Sequence, residues 1–204
     1  MPAGNFAATL VLTCSQEDAA LRSFVAALAL YETCVEITGN GASLALKWPN
    51  DVLLNEGKLA GILLEGVNQA PHRFGLAIGI GVNLATAPEA SELEPLALPP
   101  VSLAENCGVS ISPVLFLEHL AKHYAVYEEQ LCTHGFAAIR RAWLARAARV
   151  GQRITARLPQ EDITGVFETI DDAGCMILQT PQGSRKIAAG DIYFEREMIH
   201  ASGD

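Results

Sequence analysis

Apolar positions along this chain fall into blocks of two different periods. Phe6–Leu12 is a short apolar and β-branched run after Pro2-Ala3-Gly4-Asn5, and predicts a strand. From about Glu17 to Glu36, Leu21, Phe24, Val25, Leu28 and Tyr31 recur at helical spacing. Ser15 or Asp18 can cap that helix, and Gly39-Asn40-Gly41 stops it. Four strand-like runs follow: Leu44–Trp48, Val52–Leu54, Lys58–Glu65 and Phe74–Val82. Asn55-Glu56-Gly57 is hairpin chemistry, so this stretch predicts an antiparallel meander with one helix before it. Ala85–Pro100, rich in Pro, Ala and Glu, predicts an exposed loop. Helical spacing returns over Val114–Leu131, through Phe116, Leu117, Leu120, Tyr124 and Tyr127. It continues over Phe136–Ala148, through Ile139, Trp143 and Leu144.

The texture changes at about Val150-Gly151. Short alternating runs follow at Arg153–Leu158, Ile163–Ile170, Met176–Thr180, Ser184–Ala188 and Ile192–Phe194. Asp171-Asp172-Ala173-Gly174 and Pro181-Gln182-Gly183 supply turns. The expected fold class is α+β. A mixed or antiparallel sheet with helices packed on it spans 1–149, and a small C-terminal SH3-like β-barrel spans 150–204.

Composition narrows the function. Half of the 204 residues are hydrophobic and 18% are charged, so a packed core is expected and disorder is not. A formal net charge of -9 argues against a general nucleic-acid binder, though not against a local basic pocket. The five cysteines are odd in number and widely spaced, without Cys-x-x-Cys, which argues against a disulfide framework or zinc site. No basic-then-apolar leader opens the chain, and every apolar run is interrupted before it could span a bilayer. A soluble, cytoplasmic protein without DNA or membrane partners is expected.

Candidate chemistry concentrates in Lys47-Trp48-Pro49-Asn50-Asp51 and Lys58-Leu59-Ala60-Gly61-Ile62-Leu63-Leu64-Glu65. Two lysines on neighbouring strands repel each other unless an anion, such as a phosphate or carboxylate, lies between them. Asn50 and Asp51 stand at a bend beside Pro49, where Asp51 could hold Mg²⁺ through water. A surface hairpin with solvated lysines explains the same residues equally well. Gly79-Ile80-Gly81-Val82-Asn83 lets a ligand approach the strand backbone, with Asn83 able to bond a ribose or phosphate; tight strand packing is the alternative. It is not a dinucleotide fingerprint, because the third glycine is missing and no helix opens from it. His119 and His123 have the spacing of a metal pair, but without the glutamate of a zinc-protease helix no metal site is expected. Ser102 and Cys107 have no base partner in sequence, so nucleophilic catalysis is not expected.

These motifs, in order and spacing, resemble biotin protein ligases. Lys47–Asp51, Lys58–Glu65 and Ile78–Asn83 carry the resemblance, and Pro2-Ala3-Gly4-Asn5-Phe6 is similar to the family's Pro-x-Gly-Asn-Leu segment. The C-terminal strands resemble the family's small barrel. The resemblance implies a class II synthetase-like fold and two steps. Biotin and ATP give biotinyl-5′-AMP and pyrophosphate, and a lysine of a carboxylase's biotin carboxyl carrier domain then takes the biotin. By motif position Lys58 would be catalytic, touching the biotin carboxylate and α-phosphate. Lys47, Trp48, Asn50, Asp51 and Asn83 would serve ATP and the adenylate, with Mg²⁺ at Asp51. Gly61 and Gly79 would lie against biotin. The family's Ser-Thr strand and Gly-Arg-rich loop have no counterpart here. The expectation is therefore a chain short of its N-terminal part, weak or inactive in adenylation, with no repressor domain. Self-association as a homodimer is expected through Phe6–Leu12. A non-catalytic nucleotide- or carrier-binding protein and a lipoate-attaching ligase are the alternatives.

Overall fold

The computed structural model describes residues 3–39, 42–70, 73–89 and 98–194. Ten strands and four helices follow one another as β1 (Phe6–Thr13), α1 (Arg22–Thr38), β2 (Leu44–Lys47), β3 (Asp51–Leu54), β4 (Gly57–Ala70), β5 (Arg73–Val82), α2 (Leu103–Cys107), α3 (Pro113–His134), α4 (Phe136–Leu144), β6 (Arg153–Arg157), β7 (Asp162–Ile170), β8 (Met176–Thr180), β9 (Gly183–Ile187) and β10 (Asp191–Phe194). They form two five-stranded sheets, ordered β1-β5-β4-β3-β2 and β10-β6-β7-β8-β9. All strand pairings are antiparallel. Half of the Ala85–Pro100 stretch, residues 90–97, lies outside the described residues.

Alternation along β5 gives the first sheet its two faces. Leu76, Ile78, Ile80 and Val82 are buried in the core, whereas Gly75, Ala77, Gly79 and Gly81 occupy the intervening positions. β1 pairs with β5 so that Phe6 and Ala8 stand opposite Val82 and Ile80, on the core side. α1 covers that side; from Phe24 to Leu30 every residue is buried. α3 and α4 pack against α1, with the Phe24 ring edge-on to Phe136 and Trp143. Arg22, itself buried, binds Glu128 of α3 through Nε and Nη2 at 3.0 and 2.8 Å. The core continues without a break into the second sheet, through Ile154, Ala156, Phe167, Met176 and Leu178.

Local signals explain most boundaries. Ser112 caps α3 by accepting from Leu115 N–H, and Pro113 opens it. The β3–β4 turn holds Asn55 and Glu56 at φ 48° and 66°, the paired positive φ values of a type I′ hairpin. α1 starts later than the amphipathic pattern implies, since residues 16–21 form turns. Ser15 and Asp18 bond each other there instead of capping the helix. The short helix α2 is absent from the sequence expectation. Ser102 caps it, accepting from Glu105 N–H and donating to Glu105 Oε2, so the serine weighed above as a nucleophile is a buried cap. No helix among the described residues is long and apolar enough to cross a membrane.

Candidate active site

The small-residue face of the first sheet opens into a cleft of about 610 Å³. Ala7, Thr9, Gly79 and Gly81 form its floor, and Asn50, Asp51, Lys58, Gly61 and Leu63 line the rest. An exposed apolar surface runs along the same side, where Val11, Leu63 and Val67 are 53%, 60% and 37% exposed. A Cβ on Gly79 would meet only Leu63 at ordinary contact distance, so the glycine leaves the strand backbone open to a ligand.

Asp51 gathers the two lysines. Its Oδ1 lies 2.7 Å from Lys58 Nζ, and its Oδ2 lies 3.5 Å from Lys47 Nζ. β2 and β3 pair Lys47 directly with Asp51, and β3 and β4 pair Asp51 with Gly61. Asp51 is only 9% exposed at its side chain, against 48% for Lys58. The carboxylate is thus buried under its counter-ions while the Lys58 ammonium reaches into the cleft. Lys58 thus pairs with Asp51 on one side and presents the rest of its half-exposed ammonium to the cleft. Burial pushes the Lys47 ammonium below its ordinary range, and Lys58 adds to that, while Asp51 opposes it.

Backbone bonds hold this arrangement. Asn50 Nδ2 donates to the Ile62 carbonyl at 2.6 Å, and Ile62 N–H returns to the Asn50 carbonyl at 3.0 Å. Lys58 is clamped by a segment beyond the undescribed loop. Its N–H donates to Pro99 O at 2.8 Å, and its carbonyl accepts from Val101 N–H at 3.0 Å. Gly57 permits this approach; a Cβ there would strike Val101 Cγ1 and stand 2.9 Å from Pro99 O. Asn83 Nδ2 donates to Val101 O at 3.0 Å, and the Asn83 carbonyl accepts from Leu103 N–H. Asn5 ties the start of β1 to the chain leaving β5, through Ala85, Thr86 and the Thr86 carbonyl.

Of the residues singled out in the sequence, Asn50, Asp51, Lys58, Gly61 and Gly79 meet at the cleft. Lys47 touches it through Asp51. Trp48 and Asn83 do not line it. The Trp48 indole is 2% exposed, with Nε1 donating to the Gly174 carbonyl at 3.0 Å, and the Asn83 amide holds Val101. Both are expected at ATP by motif position; in the structure the indole bonds the Gly174 carbonyl and the amide bonds the Val101 carbonyl. His119 and His123 flank Glu36 of α1 at 3.0 and 2.9 Å. The Pro99–Val101 clamp, Ala7 and Thr9 carry no sequence motif and were missed; only their packing reveals them.

Known proteins share this chain's sequence and fold. Residues 1–83 match the biotin/lipoate A/B protein ligase family, and residues 150–195 match the biotin protein ligase C terminal domain. The chain is 53% identical over 196 residues to the biotin--[acetyl-CoA-carboxylase] ligase of Paracoccus denitrificans, covering 95% of this chain and 82% of that one. It is 31% identical over 172 residues to the bifunctional ligase/repressor BirA of Bacillus subtilis, covering 83% of this chain and 51% of that one. A structure of the Aquifex aeolicus biotin protein ligase in complex with biotin and ATP superposes with a TM-score of 0.74 at 21% identity. That superposition covers 91% of this chain and 77% of the other, and it shows a shared fold. The chain belongs to the biotin protein ligase family.

Proposed function

We propose that this protein is a biotin–[acetyl-CoA-carboxylase] ligase, the activity named for its Paracoccus relative. In the first step the biotin carboxylate attacks the α-phosphorus of ATP and pyrophosphate leaves. In the second the ε-amine of a carrier-domain lysine attacks the biotinyl carbonyl of the mixed anhydride and AMP leaves. The observation that carries this reading is the meeting of Lys47, Asp51 and Lys58 at the rim of a glycine-floored cleft. A carboxylate and a phosphate are brought together in the first step, and charge builds on the phosphorus as it becomes five-coordinate. Lys58, half exposed at the cleft, suits stabilisation of that charge. Lys47 and Asn50 suit the nucleotide. The apolar side of the cleft, at Leu63 and Val11, suits the bicyclic ring and alkyl chain of biotin.

Among the described residues no group of three or more His, Cys, Asp or Glu side chains is arranged to hold a metal ion. A magnesium ion brought by the phosphates of ATP would meet Asp51 as the carboxylate among the residues lining the cleft. We read the C-terminal sheet as an SH3-like barrel, which its short strands and tight turns support, although β9 and β10 are its unpaired ends among the described residues. We also read β1 as an edge for self-association, in the cytoplasm. Pyrophosphate release tests the ligase reading. Against the weak or absent adenylation that the resemblance implied, release that needs both biotin and ATP is expected, because the cleft keeps its glycine floor and both lysines; release indifferent to biotin would overturn the reading.

A further inference from the structure

Gly174 belongs to the loop that joins β7 to β8, and its carbonyl accepts from Trp48 Nε1 across 126 positions of sequence. The loop is built by Asp171. One carboxylate oxygen, Oδ1, accepts from the backbone N–H groups of Ala173 and Cys175, both at 2.9 Å. The other lies 2.6 Å from Lys186 Nζ. Asp171 N–H donates to Cys175 O, and Gly174 N–H donates to Asp171 O. Gly174 sits at φ +81°, and a Cβ on it would come within 2.9 Å of Phe24. The direction of its carbonyl is therefore fixed from both sides.

The indole it holds is the first link of the active-site turn. Pro49 follows Trp48, and its carbonyl accepts from Ser23 Oγ at 3.2 Å. Asn50 is next, bound twice to Ile62, and then Asp51. On the other side of Trp48, the Lys47 ammonium lies 6.0 Å from the centre of the Phe194 ring in β10. The second sheet thus grips both residues that precede the turn, and the turn carries the groups read above as facing ATP.

We propose that Trp48 and the Asp171-built loop are positioning groups for the nucleotide half of the reaction: the Gly174 carbonyl sets the indole, and the indole sets Asn50 and Asp51. This rests on the ligase reading. It gives the C-terminal sheet a part in setting the nucleotide turn and none in holding biotin, whose glycine floor belongs to β5. Small displacements of positioning groups cost about tenfold to a hundredfold in rate, so the loop should be visible in kinetics.

The test is biotin-dependent ATP–pyrophosphate exchange with the full chain, varying ATP and biotin separately, on W48F, D171A, D171N and D172A. W48F keeps an aromatic ring and removes the donor together with part of the buried indole. D171N keeps the oxygen that accepts from Ala173 and Cys175. D172A removes the exposed ion pair with Arg140 at 2.7 Å, which docks the same loop without the Gly174 carbonyl. W48F and D171A should raise the KM for ATP or lower kcat by about tenfold, with the KM for biotin within about twofold of wild type. D171N and D172A should stay near wild type. Wild-type constants in W48F would overturn the inference whatever its thermal stability. So would equal losses for ATP and biotin, or a loss in D172A as large as in W48F, since either means general loosening. Absence of exchange in the wild-type protein would overturn the ligase reading itself, and this inference with it.

Discussion

Lys58 and Gly61 face the same cleft although they stand three positions apart on β4. In a regular strand an odd separation puts two residues on opposite faces. Here Val52 pairs with Ala60 and Leu53 with Lys58, so Leu59 is an extra, unpaired residue. Leu59 and Ala60 both enter the core, at 1% and 3% exposure. That bulge turns the Lys58 side chain back to the cleft and to Asp51. The Lys-Leu-Ala-Gly motif therefore encodes a strand irregularity as well as a set of side chains.

Lys58→Ala should lower the rate of biotin-dependent pyrophosphate release by about a hundredfold, the scale seen when a charge partner of a transition state is removed. Because the side chain is half exposed, thermal stability should move little. Wild-type kinetics in this variant would remove Lys58 from the chemistry.

Gly79→Val should act on biotin more than on folding. The glycine's own Cβ position meets the Leu63 carbonyl at 3.7 Å, an ordinary contact, so the strand can accept a side chain. The added methyl groups would stand on the cleft floor. The KM for biotin should rise by about tenfold or more, since one or two misplaced methyl groups in a tight pocket cost roughly 1–3 kcal/mol. An unchanged KM for biotin would place the ligand elsewhere.

Acid should loosen the contact between α1 and α3. The hydrogen bond with His123, and then the close approach of His119 at 3.0 Å, hold the Glu36 carboxyl below its ordinary value. A group with a depressed folded pKa contributes stability above its unfolded pKa, and that contribution is lost as pH falls through the folded value. Urea unfolding followed from about pH 6 to about pH 3 should fall less steeply in Glu36→Gln than in wild type. Parallel acid limbs would show that Glu36 contributes nothing through this contact.

Strand β1 should mediate self-association. It pairs only with β5 among the described residues, and Leu10 and Val11 are 38% and 53% exposed on it. An unpaired edge with exposed apolar side chains is a template for another strand. Light scattering should show association that rises with concentration and weakens in Val11→Lys. A strict monomer at high concentration would contradict this.

Much of the fold was legible because its signals are local. β3 holds the continuous apolar run Val52–Leu54, β5 alternates small and large residues, an Asn-Glu-Gly turn joins β3 to β4, and α3 is bracketed by Ser112-Pro113 and Gly135. α2 was legible too, since Ser102-Leu103-Ala104-Glu105 has the serine-to-glutamate spacing of a capping box, but its flanking Pro-rich stretch masked it. The pairing of β1 with β5, the Lys58 bulge and the Pro99–Val101 clamp were not legible. Each is a contact between distant segments that leaves no periodic trace. The texture change near Val150 marked the second sheet. The structure joins it through Trp48 to Gly174, Arg140 to Asp172, Arg149 to Glu56 and a continuous core.

The central claim is transfer of biotin to a carrier lysine through an adenylate. Its most direct measurement is intact mass of a carboxylase biotin carrier domain after incubation with this protein, ATP and either biotin or lipoate. Addition of one biotinyl group, lost when the carrier lysine is replaced and lost in Lys58→Ala, is the predicted result. No addition, or addition of lipoyl in preference to biotinyl, would contradict it.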